Sequence, residues 1–215
     1  MASRASAPLA VSESFPFANE QGVLCEAPDR RGCAEHNPKR LALCRAENRV
    51  EPSSERFSSI PTTHMDAIII VDLQKAFPVP PPVVEKIERR SRDFPKRVFT
   101  KFLNDPNSLF CRKLKYGSCF PGAPERELSL SPRPGDIIFD KSGYGLTAAH
   151  IEQLKKIGIR KALVCGVDTD ACVLGVVFSL FDAGIDCEVD PDLCWSSTGL
   201  QGAALTILRE QFGTG

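Results

Sequence analysis

A chain of 215 residues, 42% of them hydrophobic, can bury a substantial core, most simply in one domain. Its 27 lysines and arginines balance 27 aspartates and glutamates, and no long block of like charge interrupts that balance, which argues against nucleic acid and anionic membranes as partners. No apolar run approaches the roughly 20 residues of a membrane-spanning helix, and Met1-Ala2-Ser3-Arg4 leads into no apolar stretch of the secretory type.

In chain order, residues 1–64 come first and differ from the rest. Small, polar and charged residues alternate there without period, and Pro16, Pro28, Pro38, Pro52 and Pro61 interrupt any element that begins. The stretch reads as a mostly disordered tail with at most a short helix near Arg40–Glu47. Met65 then opens a domain over 65–215. Its first strand is expected at about 67–72, a helix at about 82–92 after the proline run, and a second strand at about 97–101. A loop-rich region over 104–135 should cover one end of a sheet and shape any pocket there. A third strand follows at about 136–140, then a helix from the N-cap Thr147 to about 157, closed by Gly158. The fourth strand is expected at 161–166, a helix at about 170–183 ending at Gly184, the fifth strand at 185–190 and a last helix at about 199–211 before Gly213. Apolar strands alternating with amphipathic helices mean an α/β fold: a Rossmann-like parallel β-sheet with helices on both faces.

Three polar residues stand at the ends of apolar strands. Asp72 closes Ala67-Ile68-Ile69-Ile70-Val71, Lys141 follows Asp136-Ile137-Ile138-Phe139-Asp140, and Cys172 lies just beyond Lys161–Val167. Ligands of open α/β sheets bind beyond the carboxyl ends of the strands, so a base, a cation and a thiol would share one crevice, the ingredients of an activated nucleophile. Each also has a plainer reading. Asp72 could cap the next turn, Lys141 could be a surface lysine, and free cysteines often serve as core hydrophobes, which suits Cys165 and Cys187 inside strands. Cys172 differs in falling in the first turn of a helix, where unpaired amides and the helix dipole favour a thiolate. Tyr144, flanked by Gly143 and Gly145, could wall a small substrate.

Other chemistries fit less well. A phosphatase of the haloacid-dehalogenase type needs a second aspartate where Gln74 stands, and no glycine-rich phosphate cradle follows any strand. His150, one of three histidines, is expected on a solvated helix surface. Cys25, Cys33, His36 and Cys44 match no familiar zinc spacing. The nine cysteines cannot all pair and show no repeat, so reduced thiols in the cytoplasm are the expectation.

Four segments together resemble the isochorismatase-like cysteine hydrolases, which include nicotinamidases, N-carbamoylsarcosine amidohydrolases, ureidoacrylate-type amidohydrolases and isochorismatases. They are Ile70-Val71-Asp72-Leu73-Gln74-Lys75-Ala76-Phe77; Phe139-Asp140-Lys141-Ser142-Gly143-Tyr144; Cys165 through Val173; and Asp182-Ala183-Gly184 with Asp192 through Ser197. The resemblance covers about 65–213. It implies Asp72 as general base, Lys141 as electrostatic support and Cys172 as nucleophile of a C–N bond hydrolysis through a thioester. It further implies a cis peptide at Val167–Asp168, an oxyanion hole from the amides of Asp168 and Cys172, a substrate pocket with Gln74, Phe77 and Tyr144, and a homo-oligomer. The zinc-containing nicotinamidases carry an aspartate and histidines after the second strand. Phe99-Thr100-Lys101-Phe102-Leu103-Asn104-Asp105 has no histidine there, so neither metal nor other cofactor is expected, and the partner is a small-molecule amide or carbamoyl compound. Vinyl-ether cleavage, which needs no covalent cysteine adduct, and a catalytically silent binding protein on the same fold are the alternatives.

Overall fold

The structure, a computed structural model, describes residues 65–213; the predicted tail, with its helix near Arg40–Glu47 and its Cys25, Cys33, His36 and Cys44, lies outside the described residues. Five parallel strands form one sheet in the order β3-β2-β1-β4-β5. They are β1 (Ala67–Val71), β2 (Arg97–Phe102), β3 (Ile137–Lys141), β4 (Lys161–Val167) and β5 (Asp186–Trp195). The helices are α1 (Pro81–Ser91), the single turn α2 (Leu109–Arg112), α3 (Ala148–Lys156), α4 (Leu174–Asp182) and α5 (Gln201–Phe212). No helix among them is long and apolar enough to cross a membrane.

Burial follows position in the sheet. Every residue of the central β1 is fully buried, whereas β3 at an edge alternates, with Ile138 and Asp140 outward and Phe139 and Lys141 inward. The chain steps from β1 to β2 to β3 in one direction, then returns past β1 to β4 and β5. Right-handed crossovers put the connections before and after that reversal on opposite faces. The reversal opens a crevice beyond the ends of β1 and β4, where Val71 pairs with Gly166.

Local signals place most elements within two residues of expectation. Thr147 caps α3 through His150 N–H, and Gly213 ends α5 in the left-handed conformation, as predicted. Two differences matter. The expected helix over 170–183 begins as a π-turn, Thr169–Val173, because the Asp168 carbonyl accepts from both Ala171 and Val173. The fifth strand runs on to Trp195, with Pro191 tolerated at a sheet edge and the chain repairing to β4 after a register shift between Val164 and Gly166.

Gly166 is the tightest point of the sheet. Its φ is 117°, and a Cβ there would lie 2.2 Å from the Val71 carbonyl oxygen. Gly158, at φ 77°, has open space around it. Gly166→Ala should therefore cost about 3 kcal/mol or more, against about 1 kcal/mol for Gly158→Ala, read from urea unfolding. Equal losses would mean that β1 and β4 move apart freely.

Candidate active site

The site grows from three strand ends. β1 exits into Asp72 at φ 46°, a sharp left-handed turn that directs its carboxylate across the top of the sheet. Thr100, on the neighbouring β2, holds it on two sides: its hydroxyl donates to Asp72 Oδ1 at 2.6 Å and accepts from the Asp72 N–H at 3.1 Å. Sequence reasoning missed Thr100, although a lone hydroxyl near the end of an apolar strand was a usable signal. Lys141 is the last residue of β3 rather than the residue after it. Its Nζ lies 2.7 Å from Asp72 Oδ2, donates to the Gly143 carbonyl at 2.8 Å and sits 5.7 Å from the centre of the Phe102 ring.

Both partners of this ion pair are essentially without solvent exposure. Burial opposes the Lys141 ammonium, but the Asp72 charge and the neighbouring Cys172 outweigh it, and the lysine pKa is raised. Thr100 takes Oδ1, which leaves Oδ2 to the ammonium at 2.7 Å and to the neighbouring Cys172.

Cys172 completes the group from the π-turn after β4 and interacts with both Asp72 and Lys141. The expectation of a thiolate favoured by a helix start is corrected here. Burial, then the adjacent Asp72 charge, push the thiol pKa well up, with Lys141 opposing. Both effects favour the protonated thiol at neutral pH. The Val167–Asp168 peptide is cis. Asp168 accepts from the Ser197 N–H at 2.8 Å and hydroxyl at 3.0 Å, and Asp170 accepts from Ser196 and Thr198 at 2.5 and 2.7 Å. The turn that carries Cys172 is thereby tied to the loop after β5.

A cavity of about 360 Å³ opens beside Cys172. Phe77 and Tyr144 line it, as do Phe102, Phe110, Leu114 and Tyr116 from segments to which the sequence assigned no named site residue. Gln74, expected in the pocket, is not on its wall. Its Nε2 donates to the carbonyls of Phe102 and Arg126 and its Oε1 accepts from the Phe102 N–H. It pins the loop 104–135 to β2 and has no polar end to offer a substrate.

The other thiols are plainer. Cys119, Cys165, Cys187 and Cys194 are buried, and none of the six described cysteines is paired. Burial pushes Cys187 and Cys194 up to about 12. His150 is half-buried rather than solvated: it closes the capping box of α3 and stacks on Phe139 with ring centres 4.6 Å apart. Among the described residues no three His, Cys, Asp or Glu side chains gather as metal ligands. Phe102 stands on the cavity wall just past β2's hydroxyl, so the residues present do not fit a zinc centre.

A family model described as the isochorismatase domain matches residues 66–214. The secreted isochorismatase effector Isc1 of Phytophthora sojae is 30% identical over 102 residues, 45% of this chain and 48% of that protein, so the match spans about half the length of that relative. Among solved structures, the pyrazinamidase of Pyrococcus horikoshii in complex with zinc aligns at 20% identity and TM-score 0.62, over 68% of this chain and 95% of that one. The N-carbamoylsarcosine amidase of Thermoplasma acidophilum aligns at 17% and 0.58, over 69% and 92%. These similarities show the fold.

Two outcomes follow from the geometry. Removing one charge of a buried pair strands the other, so Lys141→Met should cost about 3–5 kcal/mol, while Asp72→Asn with Lys141→Met together should recover most of that stability. Thermal unfolding of the two variants checks it. A thiol pKa above its ordinary value means that Cys172 keeps its proton through the neutral range and ionises only above it. The ultraviolet thiolate absorbance of the wild type minus that of Cys172→Ala should accordingly be absent at neutral pH and develop only beyond the ordinary thiol range of about 8.5.

Proposed function

The chain belongs to the isochorismatase family of hydrolases, and from that premise we propose that it cleaves the C–N bond of a small amide or carbamoyl compound, with Cys172 as nucleophile, Asp72 as base and Lys141 as electrostatic support. The observation that carries this reading is Asp72 Oδ2: buried, ion-paired with Lys141 and next to the Cys172 thiol, while Thr100 occupies the other oxygen of the carboxylate. Such an oxygen can take a proton when the sulfur needs to lose one.

In the proposed sequence, Cys172 Sγ attacks the substrate carbonyl as its proton passes to Asp72 Oδ2. The carbonyl π electrons move to oxygen, and the amides of Asp168 and Cys172 receive that oxyanion. The amides flanking Cys172 are already committed to the Asp168 carbonyl. Re-forming the carbonyl expels the amine, which takes the proton back from Asp72. Water then adds to the thioester with Asp72 as base, the acid leaves and the thiol is restored. Lys141 keeps a positive charge beside whichever of Asp72 and Cys172 is negative, which lowers the cost of moving the proton between them.

No step requires a metal or other cofactor. The resemblance that implies a homo-oligomer supports that assembly for this chain. Six unpaired described cysteines favour a reducing compartment such as the cytoplasm, whereas the Phytophthora relative is described as secreted.

Ammonia release from a panel of small amides tests the reading. Cys172→Ala should show no turnover above background, and Asp72→Asn should lose about 100- to 10,000-fold, since an amide cannot accept the thiol proton. Lys141→Arg should not rescue activity, because a planar guanidinium does not fit a buried site built around a compact ammonium. Dialysis against a strong chelator should leave the rate unchanged. Turnover persisting in Cys172→Ala would exclude the thioester, and loss of activity on chelation would exclude a metal-independent reaction.

A further inference from the structure

Five aromatic side chains from four separate segments meet on the wall of the cavity beside Cys172: Phe77 after β1, Phe102 at the end of β2, Phe110 and Tyr116 from the loop 104–135, and Tyr144 after β3. They form one connected chain of rings. Phe77 lies parallel to Tyr116 at 6.2 Å, Tyr116 meets Phe102 at 6.0 Å, Phe102 meets Phe110 edge to face at 4.7 Å, and Phe110 meets Tyr144 edge to face at 5.0 Å. Rings that support one another in this way hold a preformed apolar slot and do not need a ligand to assemble it. The apolar surface continues to the mouth, where Leu114 is 60% and Tyr144 44% exposed.

The polar part of the wall is as informative. Among the described residues no lysine or arginine lines the cavity. Asp168, Ser197 and Thr198 do, but Ser197 already donates its N–H and hydroxyl to Asp168, and Thr198 donates to Asp170. The Lys141 ammonium is out of reach, buried against Asp72 and the Gly143 carbonyl. A carboxylate carried into this space would lose its water, meet no cation and face Asp168, which is strongly unfavourable. A cation would gain ring faces and the Asp168 carboxylate but, like an anion, would give up its water to a wall that is otherwise apolar.

Size narrows the choice. At the roughly 30 Å³ that a water occupies in the liquid, the cavity of about 360 Å³ has room for about a dozen such volumes, more than a single ring and its carboxamide fill.

We propose that this site takes an uncharged carboxamide whose acyl part is an apolar aromatic group larger than one ring, and that it rejects acyl groups bearing a carboxylate. The inference rests on the amide-hydrolase reading for its reactive group and on the cavity wall for its selectivity. It places the enzyme after reactions that build or release arylalkyl amides, and its product would be the corresponding aryl acid and ammonia.

Binding and turnover separate the two layers. Calorimetry on full-length Cys172→Ala compares naphthylacetamide, the same compound with a ring carboxylate, the same compound with a ring trimethylammonium group, and acetamide. Naphthylacetamide should bind at least about tenfold more tightly than each of the others. Equal or tighter binding of either charged compound, or of acetamide, overturns the proposal. Should Cys172→Ala fail to fold, protection of Cys172 against iodoacetamide in the wild type by the same four compounds must give the same order. Leu114→Arg, which adds a cation at the mouth, should narrow the gap between the neutral and the carboxylated compound; an unchanged gap means that the missing cation is not what rejects the anion. Turnover of naphthylacetamide by the wild type is read separately. If the compounds bind in the expected order and none is hydrolysed, the selectivity stands and the amide-hydrolase reading falls.

Discussion

Everything in the site depends on one buried ion pair, Asp72 with Lys141. Two opposite charges with almost no solvent exposure are stable only if each is tightly positioned, since desolvation rivals their attraction. The sheet provides that positioning. β1 and β3 are separated by β2, and with neighbouring strands about 4.8 Å apart a short aspartate and a long lysine are the two side chains that meet across the intervening strand. That strand is not a passive spacer. Its Thr100 grips the carboxylate from one side, and its Phe102 lies beneath the ammonium before turning toward the cavity.

Cys172 is brought to this pair by close approaches of backbone. At Gly166, β4 presses against β1 so nearly that no side chain fits, which sets the exit of β4 beside Asp72. Farther on, the loop that follows Lys141 packs against the helix that follows Cys172. A Cβ on Gly145 would lie 2.4 Å from the Ser179 hydroxyl, and one on Gly175 would lie 2.9 Å from Tyr144. Ser179 also accepts from the Leu146 N–H at 3.0 Å. The cation's loop and the thiol's helix are therefore locked to each other directly as well as through the sheet. Geometry of this kind, fixed by three glycines outside the reacting group, is what allows a base, a cation and a thiol to share so small a volume.

The sheet was legible in the sequence because its strands are short apolar runs bounded by glycine, proline and capping residues, and Asp72, Lys141 and Cys172 were legible because each interrupts the polarity pattern at a strand end. What was not legible has a common cause: it depends on contacts between segments distant in the chain. Gln74 sits in a motif with Asp72 and was taken for a pocket residue, yet its amide is consumed by the backbone of Phe102 and Arg126. The aromatic wall draws on Phe110 and Tyr116 in a stretch of turns with no period to read. The π-turn at Thr169–Val173 differs from an α-helix by a hydrogen bond one residue longer, and no residue type announces it. The extension of β5 past Pro191 looked like a loop because a proline ends a central strand but is admitted at an edge.

The state of the thiol changes what the site is for. A helix-start cysteine with a lowered pKa would carry a standing thiolate, reactive toward any electrophile that reached it. Here burial and the adjacent Asp72 favour the protonated thiol of Cys172, as burial does for Cys187 and Cys194, on which Asp186, Glu188 and Asp190 act through charge but without a hydrogen bond to the sulfur. What sets Cys172 apart is thus proximity to an acceptor, not intrinsic acidity. In the proposed reaction, attack becomes worthwhile only when a carbonyl is in place to take the sulfur's electrons as Asp72 takes its proton, and an apolar ligand that fills the cavity would also remove the water that screens that exchange. On that proposal reactivity is conditional on occupancy, and the aromatic wall proposed to select the ligand is also part of what switches the thiol on.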